Sequence, residues 1–163
     1  MKAISLAAMA AATLAFAGAA QADDAHPFTG FYLGAEAGLV NDSDYNDLYY
    51  AGVLGARKQL DNDLVLGVEG TFGSADIDYL DNIWTVNGTV GYAFGAEKRD
   101  MIFVGAGYVK VKASAFGFSA TGDGLSTILG YERAIGSNWS FRVKANMYDT
   151  SSVTTTLGVA YRF

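Results

Sequence analysis

From residue 30 onward the chain alternates. In IWTVNGTVGYAF, Trp84, Val86, Val90, Tyr92 and Phe94 fall on one face of an extended strand, and Thr85, Asn87, Thr89, Gly91 and Ala93 on the other. In WSFRVKANMY, Trp139, Phe141, Val143, Ala145 and Met147 oppose Ser140, Arg142, Lys144, Asn146 and Tyr148. A two-residue period is that of a β-strand, whose successive side chains point to opposite faces. Eight such segments follow one another, over 30–40, 49–59, 64–74, 83–94, 101–112, 125–135, 139–148 and 153–163, joined by short polar connections. Each is about 10–12 residues, longer than a typical soluble strand and close to what a tilted strand needs to cross a bilayer. The fifth segment leaves its facing open. Its apolar face is either Ile102, Val104, Ala106 and Tyr108 or Phe103, Val109 and Val111, and Lys110 and Lys112 favour the second set by wanting the lumen or the rim.

Amphipathic strands alone do not say which face meets water, since a soluble barrel turns its apolar face inward and a membrane barrel turns it outward. The polar face decides. It is built mostly of Gly, Ala, Ser, Thr and Asn with a few mid-strand charges, whereas a soluble exterior would be dense in Lys and Glu. Small residues with sparse charge suit the narrow lumen of eight strands, which side chains just fill. Aromatic placement agrees: Phe31, Phe94, Trp139, Phe141, Tyr161 and Phe163 lie near ends that would share one rim, and Tyr49, Tyr50, Phe72, Trp84, Tyr108 and Tyr148 near the other. These read as the two interfacial girdles of a membrane barrel. The predicted fold is all-β, an eight-stranded antiparallel up-and-down transmembrane β-barrel, with a soluble barrel as the lesser alternative.

The amino-terminus changes the picture of where the fold begins. Lys2 is followed by an almost wholly apolar run over 3–20 and by the small-residue pattern Ala20-Gln21-Ala22. That is the pattern of a secretory signal peptide, too short in its apolar core for a membrane anchor. Residues 1–22 are therefore expected to be a signal peptide cleaved after Ala22, 23–29 a short periplasmic leader and 30–163 the barrel. Removing Lys2 leaves 10 basic against 17 acidic residues, a net charge of −7, which disfavours nucleic acid as a partner. There is no cysteine, which excludes disulfides and thiolate metal sites.

Candidate chemistry is concentrated on the inward parity. If Gly136-Ser137-Asn138 is a tight turn, Ile135 opposes Trp139 and Glu132 opposes Arg142 with both in the lumen. Lys144, Glu36 and Glu69 share that parity, so a lumen network of three acids and two bases is expected, serving as a fixed plug or as a switchable gate of a narrow pore. The outer connections carry Asp42, Asp44, Asp47, Asp76, Asp78, Asp81, Asp123 and Asp149. Asp42, Asp44 and Asn46 resemble the start of a calcium loop, but Asp47 stands where that loop needs Gly and Val53 where it needs Glu, so no metal site is expected. No enzyme is expected either. The single histidine, His26, precedes the barrel beside Pro27, far from any serine at the outer rim that it could activate.

The stretch FTGFYLGAEAG, through Phe28, Thr29, Gly30, Phe31, Tyr32, Leu33 and Gly34, resembles the opening strand of small outer-membrane barrels of the opacity or OmpA-like type. GYERAIGSNWSFRVKANMY resembles the penultimate hairpin of the same family, and the terminal YRF completes the pattern. The resemblance implies a barrel with both ends in the periplasm, resident in the cell outer membrane among lipid and lipopolysaccharide, without cofactor, monomeric, and structural or surface-exposed in role. No peptidoglycan-binding domain is expected after Phe163, where OmpA-like proteins carry one. A narrow channel gated by the lumen network and an adhesin or partner-binding protein acting on a host or envelope partner through its acidic loops are the alternatives. The ending TLGVAYRF, with Leu157, Val159, Tyr161 and Phe163 on one face, resembles the carboxy-terminal signal read by the barrel-assembly machinery.

Overall fold

The computed structural model describes residues 26–163 apart from 42–45, 76–79, 116–117 and 149–151. The expected signal peptide and cleavage site, and the loop residues Asp42, Asp44, Asp76, Asp78 and Asp149, lie outside the described residues. The elements are β1 (Gly30–Asn41), β2 (Asn46–Gln59), β3 (Leu64–Ala75), β4 (Leu80–Phe94), a short 3-10 turn (Ala96–Lys98), β5 (Asp100–Ala115), β6 (Phe118–Ile135), β7 (Trp139–Tyr148) and β8 (Ser152–Arg162). Each strand pairs antiparallel with its neighbour in sequence, and β8 returns to pair with β1, so the sheet is a closed barrel. Closure leaves no strand edge to face lipid, where each unpaired backbone group costs several kcal/mol.

The seam explains how the aromatic end of the chain is held. Its register runs from Tyr32↔Arg162 to Asn41↔Val153. The Phe163 N–H donates to the Phe31 carbonyl at 2.9 Å, and the Arg162 N–H to the Asn138 carbonyl at 2.7 Å. Asn138 Nδ2 in turn donates to the Arg162 carbonyl at 2.8 Å. The start of β1, the end of β8 and the three short turns lie at one end of the barrel, hereafter the turn end; the other is the loop end. Gly136, at φ +65°, opens the β6–β7 turn in the left-handed region that glycine enters most readily. Lys98 Nζ reaches Asp63 at 2.7 Å, tying two turns together, and that hydrogen bond holds the ammonium above its ordinary range.

Polarity is inverted relative to a soluble protein. Leu33, Leu54, Phe72, Leu129 and Leu157 stand on the outer wall, with Phe72 and Leu129 each 63% exposed, while Thr71, Thr85, Asn87, Ser126, Thr154 and Thr156 are buried in the lumen. A continuous apolar exterior of this extent is untenable in water and natural in lipid, which removes the soluble-barrel alternative.

Several expectations are corrected. On β5 the outward set is Ile102, Val104, Ala106 and Tyr108, and Phe103 and Val109 are buried inside. Lys110 and Lys112 do not need the lumen, because they face outward at and beyond the level of the Trp84–Tyr108 ring pair, opposite Trp84 and Asn82. The loop expected over 113–124 is largely strand: the β5–β6 ladder continues through Lys110↔Asp123 and Lys112↔Thr121 to Ala115↔Phe118. Its Gly, Ser and Thr content carries no apolar alternation, and Thr121, Gly122 and Asp123 are exposed. Tyr49 and Tyr148 belong to no girdle. Tyr49 is fully buried and Tyr148 packs against its cluster inside the loop end. Phe28 and Thr29, at the end of the segment expected as a leader, are buried at the barrel's mouth. There the Phe28 N–H donates to Gln59 Oε1 at 3.3 Å, and the Gln59 N–H to Thr29 Oγ1 at 3.1 Å.

The facing of β5 is testable. Val104→Arg, placing a charge near the middle of the outer wall, is expected to destabilise the barrel by about 2–4 kcal/mol in lipid vesicles. Urea unfolding from phosphatidylcholine vesicles measures this, and an unchanged midpoint would return Val104 to the lumen.

Candidate functional site

The lumen is crossed by a belt of charge. The β2, β3, β6, β7 and β8 strands place Arg57, Glu69, Glu132, Arg142, Lys144 and Arg162 on the inward parity, and β1 adds Tyr32 and Glu36; all are buried. Glu69 is the hub. Its Oε2 accepts from Arg142 Nη2 at 2.6 Å, from the Tyr32 hydroxyl at 2.7 Å and from Arg57 Nη2 at 3.2 Å, while its Oε1 accepts from Lys144 Nζ at 2.7 Å. Glu132 Oε2 accepts from Arg57 Nη1 at 2.6 Å, and its Oε1 from Ser140 Oγ at 2.7 Å. Glu36 Oε2 lies 2.8 Å from Lys144 Nζ.

The register places Glu132 opposite Arg142, but the shortest bonds do not follow the register. Arg142 Nε stays 3.5 Å from Glu132, and its close partner is Glu69 across the lumen; Glu132 is instead held by Arg57. The reason is reach. Extended guanidiniums span the narrow interior and find carboxylates on the far wall, so the belt cross-links strands that are not neighbours in the sheet.

Packing fixes the guanidiniums. The Arg57 carbon lies 4.5 Å from the centroid of the Tyr32 ring and 4.9 Å from that of Phe103; for Arg142 the distances are 5.4 and 5.6 Å. Both cations thus sit between two aromatic faces, whose quadrupoles attract them. Glycines make the room: Gly67 is paired with Arg57, Gly158 with Arg142, Gly55 with Tyr32 and Gly130 with Phe103. A Cβ at Gly67 would stand 2.6 Å from Arg57 Cγ.

Apolar clusters adjoin the belt. One, of Phe28, Val65, Ala93, Met101, Phe103, Ile128 and Ala134, runs from the turn end along the belt; the other, of Val40, Tyr49, Ala51, Ala75, Ile83 and Val109, lies toward the loop end. Among the described residues no three His, Cys, Asp or Glu side chains gather as a metal site. No helix among them is long and apolar enough to cross a membrane, and the strands do the crossing.

The sequence pattern of the outer membrane protein beta-barrel domain matches residues 8–163. The chain belongs to that family. Among solved structures, this family member resembles Neisserial surface protein A at 18% identity and a TM-score of 0.56, covering 83% of this chain and 98% of that one. It is similar to Ail, the attachment invasion locus protein of Yersinia pestis, at 22% identity and a TM-score of 0.53, covering 82% and 97%. It also resembles a de novo designed transmembrane β-barrel at 17% identity and a TM-score of 0.52, covering 83% and 97%. No curated protein matches the sequence. At these identities the likeness is one of fold. As an outer-membrane barrel the chain meets lipid with its apolar wall, and the belt sits within the thickness of the membrane.

Two belt members escaped the sequence reading, Arg57 and Arg162. Arg162 alternates with the outward Leu157, Val159 and Tyr161, so its parity pointed inward. Arg57 sits beside Lys58 near a strand end, where either cation suited the rim; its separation of 12 residues from Glu69 across a three-residue turn was the available signal.

Glu69→Gln leaves Arg142 and Lys144 without their common carboxylate and is expected to cost about 3–5 kcal/mol, the range for breaking a buried pair. Glu36→Gln, which removes one contact of a lysine that keeps Glu69, is expected to cost less. Urea unfolding of the two variants in vesicles checks the order.

Proposed function

We propose that this outer-membrane barrel is a closed structural component that displays its loops at the cell surface, with the turn end in the periplasm, rather than a channel or an enzyme. The observation that carries this reading is the threefold filling of the lumen: an aromatic plug that includes Phe28, the charged belt, and the apolar cluster around Tyr49. A gate needs a group that can leave. Glu69 receives four donors from three strands, so releasing one cation leaves the others in place. In planar bilayers the wild-type chain is expected to stay silent, and Arg142→Ala to stay silent as well because both apolar clusters remain. Steady unitary conductance in the wild type would replace this reading with the channel.

The same proposal covers export and assembly. Residues 1–22 act as a cleaved signal peptide, and Leu157, Val159, Tyr161 and Phe163 as the signal read by the assembly machinery. Their support is the outward face these four share and the edge-to-face stack of Trp139, Tyr161 and Phe163, with successive centroids 5.2 Å apart. Deleting Phe163 is expected to lower the heat-modifiable, membrane-inserted fraction more than deleting the loop residue Asp149. Equal fractions would reduce the ending to ordinary strand.

A further inference from the structure

The belt does not balance. Among the described residues, three buried carboxylates, Glu36, Glu69 and Glu132, face four buried cations, Arg57, Arg142, Lys144 and Arg162, leaving one positive charge in the interior. The excess falls at Arg162. Its Nη1 is 3.7 Å from Glu132 Oε1, which already accepts from Ser140, and its Nη2 donates to the Trp139 carbonyl at 3.3 Å. An uncompensated buried charge is costly, and so is each buried donor without an acceptor.

The unpartnered polar atoms are sorted along the barrel. At the turn end they are N–H donors, Arg162 Nε and Nη1 and Gln59 Nε2, while the belt holds both kinds, with Arg142 Nε and Nη1 level with the Glu36 carboxylate. From the level of Glu69 and Lys144 toward the loop end they are oxygens, on Asn87, Ser126, Thr154, Thr156 and Tyr49. At the turn end, donors without acceptors beside surplus positive charge are the chemistry of an anion site. Arg162 and Gln59 both border Phe28, whose ring centroid is 5.4 Å from the Arg162 guanidinium carbon and whose N–H donates to Gln59.

We infer that the turn end of the lumen binds one small monovalent anion of the halide class, held by Arg162 and Gln59 and closed over by Phe28. One surplus charge calls for one monoanion, and the plug restricts the site to a small one. The occupant is structural and does not pass through, because the belt stands beyond it.

The test uses the full chain folded in detergent micelles, heated in sodium chloride and in sodium gluconate at equal ionic strength. Chloride at about ten times its Kd is expected to raise the unfolding midpoint by about 3–6 °C over gluconate, saturably. The difference should vanish in Arg162→Gln and persist in Lys58→Gln, which removes an exposed outward cation. Equal midpoints in the two salts, or a chloride effect that survives Arg162→Gln, would overturn the site. Should Arg162→Gln fail to fold, bromide-grown crystals of the wild type decide: an anomalous peak beside the Arg162 guanidinium supports the site, and its absence, with water on the donors, removes it.

Discussion

A carboxylate inside a barrel eight strands wide, surrounded by lipid on every side, has no bulk water to fall back on. Glu69 resolves this by drawing donors from Tyr32, Arg57, Arg142 and Lys144, and most other lumen features follow from that requirement. The cations it gathers bring their own surplus, which Glu132 and Glu36 take up in part. Removing Glu69 strands its donors together, whereas losing one cation leaves Glu69 the others, so the group is organised around the hub rather than as a set of separable pairs.

Volume is the second constraint. The lumen of eight strands is just wide enough for side chains, so every large inward residue needs a small one beside it. The pairings Arg57↔Gly67, Arg142↔Gly158, Tyr32↔Gly55 and Phe103↔Gly130 meet that condition. Glycine on the inward parity is therefore the complement of arginine and aromatic residues, and the two patterns are one design. With the interior this full, stability and impermeability come from the same contacts.

Much of this was legible in the sequence because a closed, two-sided sheet enforces strict alternation. Trp84 to Phe94 and Trp139 to Met147 could be assigned to the wall directly, and counting around Gly136 placed Glu132 opposite Arg142. Counting along neighbouring strands stops at the neighbour, however. It could not show that Arg142 prefers Glu69, whose strand lies on the far side of the barrel. Alternation also failed where both faces of a segment were apolar, as on β5, and where a ladder continued through a Gly-, Ser- and Thr-containing stretch without apolar alternation, as from Ala113 to Gly124. Tyr49 and Tyr148 were misplaced for a related reason: an aromatic residue near a strand end suits an interface girdle and an internal stopper equally well, and only the direction of its Cβ separates them.

The position of Phe28 has a consequence for the order of assembly. Its backbone is bonded to Gln59 on β2, a hairpin partner available early, but its ring is covered by Arg162 from the last strand. The belt bonds likewise join Arg57 to Glu132 and Glu69 to Arg142, which are 75 and 73 residues apart. Until the seam closes, the growing sheet must therefore keep its charges on a concave, hydrated side, as an open gutter whose water is shed only when β8 docks. Dehydration of the interior and closure of the ring are then one event, and Phe28 is the last stopper to be pressed home.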